Sequence, residues 1–117
     1  MHTLKNYDCE ERPWGTPERF TANEQTTVKL LHLLPGKRFS LQKHAQRSEF
    51  WRVVSGSGVV TVGEEKREVK VGDEAMIPAE TVHRLEGGPE GLTVLEIIFG
   101  AYEENDIERL EDDFGRT

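Results

Sequence analysis

Phe39-Ser40-Leu41-Gln42-Lys43-His44-Ala45-Gln46-Arg47-Ser48-Glu49-Phe50-Trp51-Arg52-Val53-Val54-Ser55-Gly56-Ser57-Gly58 holds two short extended runs, 39–44 and 49–55, and the glycine-serine break that closes the second. Side chains on a strand alternate between faces. Gln42 and His44 therefore share one face, Leu41 and Lys43 the other, and Glu49 lies on a face with Trp51 and Val53. Outward from this stretch the same texture continues. Runs at 26–34, 58–63, 67–71, 75–77, 82–86 and 92–99 are cut by Pro35-Gly36, Gly63, Gly72-Asp73, Pro78 and Gly87-Gly88-Pro89. Spacing this tight leaves no room for crossover helices. It argues against a parallel α/β sheet and predicts an all-β sandwich, jelly roll or barrel.

The flanks read differently. Residues 1–25 are polar, with Pro13, Trp14, Gly15 and Pro17 marking irregular backbone, and 101–117 are acidic with one short helical turn expected at 106–112. A length of 117 residues predicts one domain, 1–117, with its β core at about 26–99. Fifteen Lys and Arg against 22 Asp and Glu leave a net charge of −7, which argues against a nucleic-acid partner. No apolar run approaches the ~20 residues that span a bilayer, and the first residues lack a signal-peptide core. Cys9 is the one cysteine, so no internal disulfide forms. A soluble cytoplasmic protein without a membrane partner is the expectation.

Polar residues on core-type faces carry the functional signal. Glu49 accompanies Trp51 and Val53, and His83 accompanies Leu85, so both are expected to point inward. Buried imidazoles and a carboxylate are costly unless satisfied, and one divalent cation satisfies them together. A buried ion pair between Glu49 and an arginine such as Arg52 or Arg84 is the alternative. Glu96 interrupts the apolar face Leu92, Val94, Ile98 and is either an acid or base, a hydrogen-bond partner of His83, or half of an ion pair. Trp14 and Trp51 are expected in core or lid packing; His2 and His32 read as structural or exposed.

The spacing is Gly36, five residues, Gln42, one, His44, four, Glu49, six, Gly56; after 15 residues come Gly72, five, Pro78, four, His83. This resembles the paired motifs of the cupin superfamily, which implies a double-stranded β-helix and four metal ligands: Gln42, His44, Glu49 and His83. Gln42 stands for the usual first His, Glu80 for a Gly and Gly87 for an Asn. The ion is one of Zn, Mn, Fe, Co or Ni, since two imidazoles with two oxygen donors suit each.

Arg12-Pro13-Trp14-Gly15, the 41–56 segment, Ile77-Pro78 with His83-Arg84-Leu85-Glu86, and Gly100-Ala101-Tyr102 through Asp112-Asp113-Phe114-Gly115-Arg116 together resemble the type II mannose-6-phosphate isomerase domain. The resemblance implies metal-dependent interconversion of mannose 6-phosphate and fructose 6-phosphate, feeding GDP-mannose and polysaccharide synthesis. It implies roles for Arg109 and Glu96 in catalysis, for Arg12 and Arg116 on the substrate, and a homodimer. Arg84, beside a ligand, is a further candidate for the phosphate. The family's guanylyltransferase half, with its Gly-rich nucleotide loop, is absent, so this chain is not expected to make GDP-mannose. Phe50 replaces a His after the Glu, Ile98 replaces a Gln, and the segment between Tyr102 and Ile107 is one residue short. A non-catalytic cupin that binds a sugar phosphate, or assists a separate guanylyltransferase, is the competing expectation. A metal oxygenase ranks third.

Overall fold

The computed structural model describes residues 2–116, and among these residues it contains nine strands and no helix. β1 (Asp8–Cys9) and β2 (Glu18–Arg19) form a small separate sheet. The rest form one antiparallel system: β3 (Thr26–Leu33), β4 (Leu41–Lys43), β5 (Arg47–Val62), β6 (Glu65–Lys70), β7 (Glu74–Ile77), β8 (His83–Gly100) and β9 (Glu108–Glu111). Among the described residues no helix is long and apolar enough to cross a membrane.

β5 and β8 are the spine, paired from Arg47↔Gly100 to Val62↔His83. Register shifts at Val53/Ser55 and Gly56/Gly58 kink the pair at mid-length, as β-bulges do. Each half then recruits its own neighbours. β7 and β3 flank one half, through Glu49↔Ile77 and Val28↔Ile97. β6 and β4 flank the other, through Val60↔Arg67 and Gln42↔His83, with β9 beyond β4. This is a double-stranded β-helix.

Two sequence expectations change here. The breaks at 55–58 and 87–89 do not separate strands; the ladder runs through them, with Gly58 opposite Gly87. Glycine is needed because the backbones touch: a Cβ on Gly56, which sits at φ +77°, would overlap the Gly91 carbonyl oxygen. Residues 106–112 form no helical turn. The free edge of β4 offers a ladder, and Glu108–Glu111 pairs with it as a strand.

Apolar residues pack in two layers. The inner cluster gathers Trp51, Val53, Val60, Val69, Ile77, Leu85, Leu92 and Val94. On the opposite face of β5 and β8, Phe50 and Ile97 are covered by Leu4, with Tyr7 and Phe20 packed against them. His2 joins this cover: it stacks on Tyr7 with ring centroids 3.8 Å apart, and its Nε2 lies 2.9 Å from Glu74 Oε1. His32 is exposed beside Thr93. Trp14 is not packed as expected. A tight turn closed by reciprocal Arg12–Gly15 backbone bonds holds it 75% exposed.

Candidate metal centre

Strand parity aims the first residues of the site. Glu49, Trp51 and Val53 point inward from β5, and His83 and Leu85 from β8; all are buried. His44 lies between β4 and β5 and is also buried. One ligand atom from each of His44, Glu49 and His83 falls within 4.8 Å of the others. His44 Nε2 is 3.6 Å from Glu49 Oε2, and His83 Nε2 is 3.3 Å from Glu49 Oε1.

Backbone carbonyls choose both tautomers. His44 Nδ1–H donates to the Asp106 carbonyl at 2.6 Å, and His83 Nδ1–H to the Thr81 carbonyl at 2.8 Å. Each ring therefore presents an Nε2 lone pair toward Glu49. Burial favours the neutral rings: His83 is pushed down to about 4, and His44 below the ordinary histidine range. Neutral imidazole is the form that binds metal. Gln42 approaches too, its Nε2 3.3 Å from His44 Nε2 while its Oε1 accepts from Ser40 Oγ at 2.6 Å.

The donors fit a cation. Among the described residues, Glu49 Oε1 and His83 Nε2 are buried side-chain atoms without a hydrogen bond, although they face each other. Leaving such atoms unsatisfied costs about 1–3 kcal/mol each. A divalent ion accepts both lone pairs and the carboxylate charge in one step.

A second carboxyl adjoins the first. Trp51 Nε1–H donates to Glu96 Oε2 at 2.9 Å, and the Glu49 carboxyl is close enough to repel its charge. Burial, then the neighbouring Glu49, raises Glu96 to about 7. Burial also raises Glu49, against the pull of Arg47.

Arg47 is a residue that sequence reasoning missed. Its Nε donates to Glu49 Oε2 at 3.0 Å, and its terminal nitrogen lies 3.0 Å from His44 Nε2. Its guanidinium also sits 5.2 Å over the Tyr102 ring. The ion-pair candidates named from sequence are placed elsewhere. Arg52 points outward from β5 to Glu18, and Arg84 points outward from β8 to the Phe39 carbonyl and Glu111. Position 47 has the parity of Glu49, whereas 52 does not, so the alternation rule alone could have found it.

Above the carboxylates opens a cavity of about 230 Å³, walled by Lys29, Gln42, His44, Arg47, Glu96, Tyr102, Arg109 and Arg116 among others. The structure thus brings Gln42, His44, Glu49, His83, Glu96, Arg109 and Arg116 to one region. Arg109 lies opposite Gln42 across the β4–β9 ladder, and Arg116 bonds Asp112 at 2.9 Å. Arg84 lines a separate cleft with Arg38 and Lys66, because His83 takes the inward parity. Arg12 is exposed at its turn and bonds Glu10 at 2.7 Å. Lys29, inward on β3 opposite Glu96, was not anticipated.

A double-stranded β-helix with two imidazoles and a carboxylate converging between its layers is a cupin. Solved structures agree: oxalate decarboxylase from Bacillus subtilis aligns with TM-score 0.67 at 26% identity, covering 74% of this chain and 24% of that one. A Klebsiella pneumoniae protein with a double-stranded β-helix domain aligns with TM-score 0.64 at 22% identity, covering 77% and 78%. The chain belongs to the mannose-6-phosphate isomerase C-terminal family, whose pattern matches residues 2–112. It is 41% identical over 112 residues to the alginate biosynthesis protein AlgA of Pseudomonas aeruginosa, covering 93% of this chain and 23% of that protein. It is 37% identical over 108 residues to the mannose-1-phosphate guanylyltransferase ManC of Salmonella typhimurium, covering 91% and 22%. The chain therefore spans less than a quarter of the length of these relatives.

Proposed function

We propose that this chain binds one divalent metal ion through His44, Glu49 and His83, with Gln42 as a fourth donor, and interconverts mannose 6-phosphate and fructose 6-phosphate. The observation that carries the reading is the convergence of two neutral imidazoles and a buried carboxylate beneath a cavity walled by Glu96 and cationic side chains. A half-turn of the Gln42 amide directs its oxygen inward, and the Ser40 hydroxyl, donor and acceptor at once, keeps a bond to it. When bound, the ion supplies an electrophile for the oxyanion that develops on the sugar.

The chain's own residues supply the rest. Aldose–ketose exchange moves a proton between C1 and C2, and Glu96, held by Trp51 beside the cavity, is the group placed to carry it. Arg109 and Arg116 offer planar donors to the phosphate from the cavity wall, and Lys29 adds a third cation. Arg47 favours the ionised form of Glu49 against its burial and orients the carboxylate.

A coupled assay of fructose 6-phosphate formation by metal-reconstituted protein tests this. Metal-dependent turnover, lost in Glu96→Gln, is expected; mannose 6-phosphate binding without turnover favours a binding module instead. One observation supports that second reading: Ile98, opposite Glu49 across β5–β8 and fully buried, brings no polar group where the family resemblance has a Gln.

Phe50→His separates the two layers. Phe50 is fully buried against Ile97 and the N-terminal cover, on the face away from Glu49. The substitution is expected to give no gain in rate and to cost about 2–3 kcal/mol, from lost burial and an imidazole in an apolar layer. Urea unfolding and the same assay check both halves; a gain in rate contradicts this placement.

A further inference from the structure

His44 is the one member of the buried trio that lies outside a strand, so no ladder fixes it. Its carbonyl accepts from Glu80 N–H at 2.7 Å and its Nε2 from Arg47 at 3.0 Å, while the hold on Nδ1 and on the two residues that follow comes from the C-terminal tail. Asp106 makes three bonds to three consecutive residues. Its main-chain carbonyl accepts from His44 Nδ1–H at 2.6 Å, its Oδ1 from Ala45 N–H at 2.8 Å, and its Oδ2 from Gln46 N–H at 3.0 Å. Ala45 and Gln46 are exposed, and water could serve their N–H groups equally well. The clamp therefore adds position rather than satisfaction. Further along, Arg38 holds the same tail by two bonds to Asp113, at 2.7 and 3.0 Å, without touching residues 44–46.

We propose that Asp106 is a positioning residue for the metal centre: by clamping 44–46 it holds the tautomer and orientation of the His44 ring, so that cation affinity depends on that clamp. The inference rests on the metal reading above and adds to it a route by which the tail controls the site. Tyr102, Arg109 and Arg116 on that tail also wall the cavity, so a ligand that grips them shares this coupling.

The test titrates the whole chain with Co(II) and compares Asp106→Ala, Asp106→Asn and Arg38→Ala. Asp106→Ala is expected to weaken Co(II) binding about 10–100-fold, the usual loss when support of a ligand is removed, and to shift the visible absorption of the bound ion. In metal-free protein, 15N spectra of its His44 ring are expected to gain the Nε2–H tautomer. Asp106→Asn, with one acceptor oxygen, falls between. Arg38→Ala removes the anchor at Asp113 but not the Asp106 clamp, and leaves affinity, absorption and tautomer unchanged. Unchanged affinity and tautomer in Asp106→Ala overturn the proposal, as does an Arg38→Ala variant that reproduces its effects. Wild-type protein that takes up no Co(II) overturns the metal reading instead, and the tautomer shift alone then decides the positioning role.

Discussion

Glu49→Ala is expected to reduce metal content from about one ion per chain to near zero, because it removes the charged donor and separates the two imidazoles' shared partner. His44→Ala is expected to do the same. The two variants differ in stability. Glu49 also neutralises Arg47, whose side chain is 8% exposed and whose Nε lies 3.0 Å from the carboxylate. Stripping one member from such a buried pair costs about 3–5 kcal/mol, since the other charge is left without compensation. His44→Ala strands no charge and costs less. The double variant Glu49→Leu with Arg47→Met recovers stability without recovering metal. Elemental analysis after dialysis, with urea unfolding of the metal-free chains, reads both effects; full metal in either single variant contradicts the ligand set.

Trp51→Ala carries an expected loss of stability of similar size. The indole is 2% exposed, lies edge-on to Phe39 and His83 with centroids 6.2 and 5.5 Å away, and donates to Glu96. Its removal leaves a large cavity and an unsatisfied buried carboxyl oxygen, for a cost of about 4 kcal/mol. Small domains have only about 5–15 kcal/mol in total. Trp51→Phe keeps most of the volume and isolates the lost N–H, at about 1–3 kcal/mol. Both are measured on metal-free protein, because a bound ion adds its own stabilisation by mass action. Trp51→Phe as stable as wild type contradicts the indole–Glu96 bond.

The inner face was legible because period-2 alternation is local. Glu49 with Trp51, and His83 with Leu85, follow from parity and are buried together. The same rule places Arg47 beside Glu49, whereas Arg52 and Arg84, the counter-charges expected from sequence, have outward parity. What could not be read locally depends on distant chain. Strand parity already turns Phe50 away from Glu49, but that Leu4 and Phe20 cover it on the other side is visible only in the fold. Gly58 and Gly87 signal turns in isolation, but paired across the spine they are bends within continuous strands. Asp106 left no signal: its part in the site comes through a carbonyl 62 residues from the ring it holds. Arg12, assigned by motif, lies at an exposed turn away from the cavity.

The most direct test of the metal centre is an anomalous difference map from crystals of this chain grown with Co(II) or Zn(II). One strong peak between His44 Nε2, His83 Nε2 and Glu49, at about 2.0–2.2 Å from each, is the expected result. A peak only at surface carboxylates, with Arg47 still bonded to both Glu49 and His44, contradicts it.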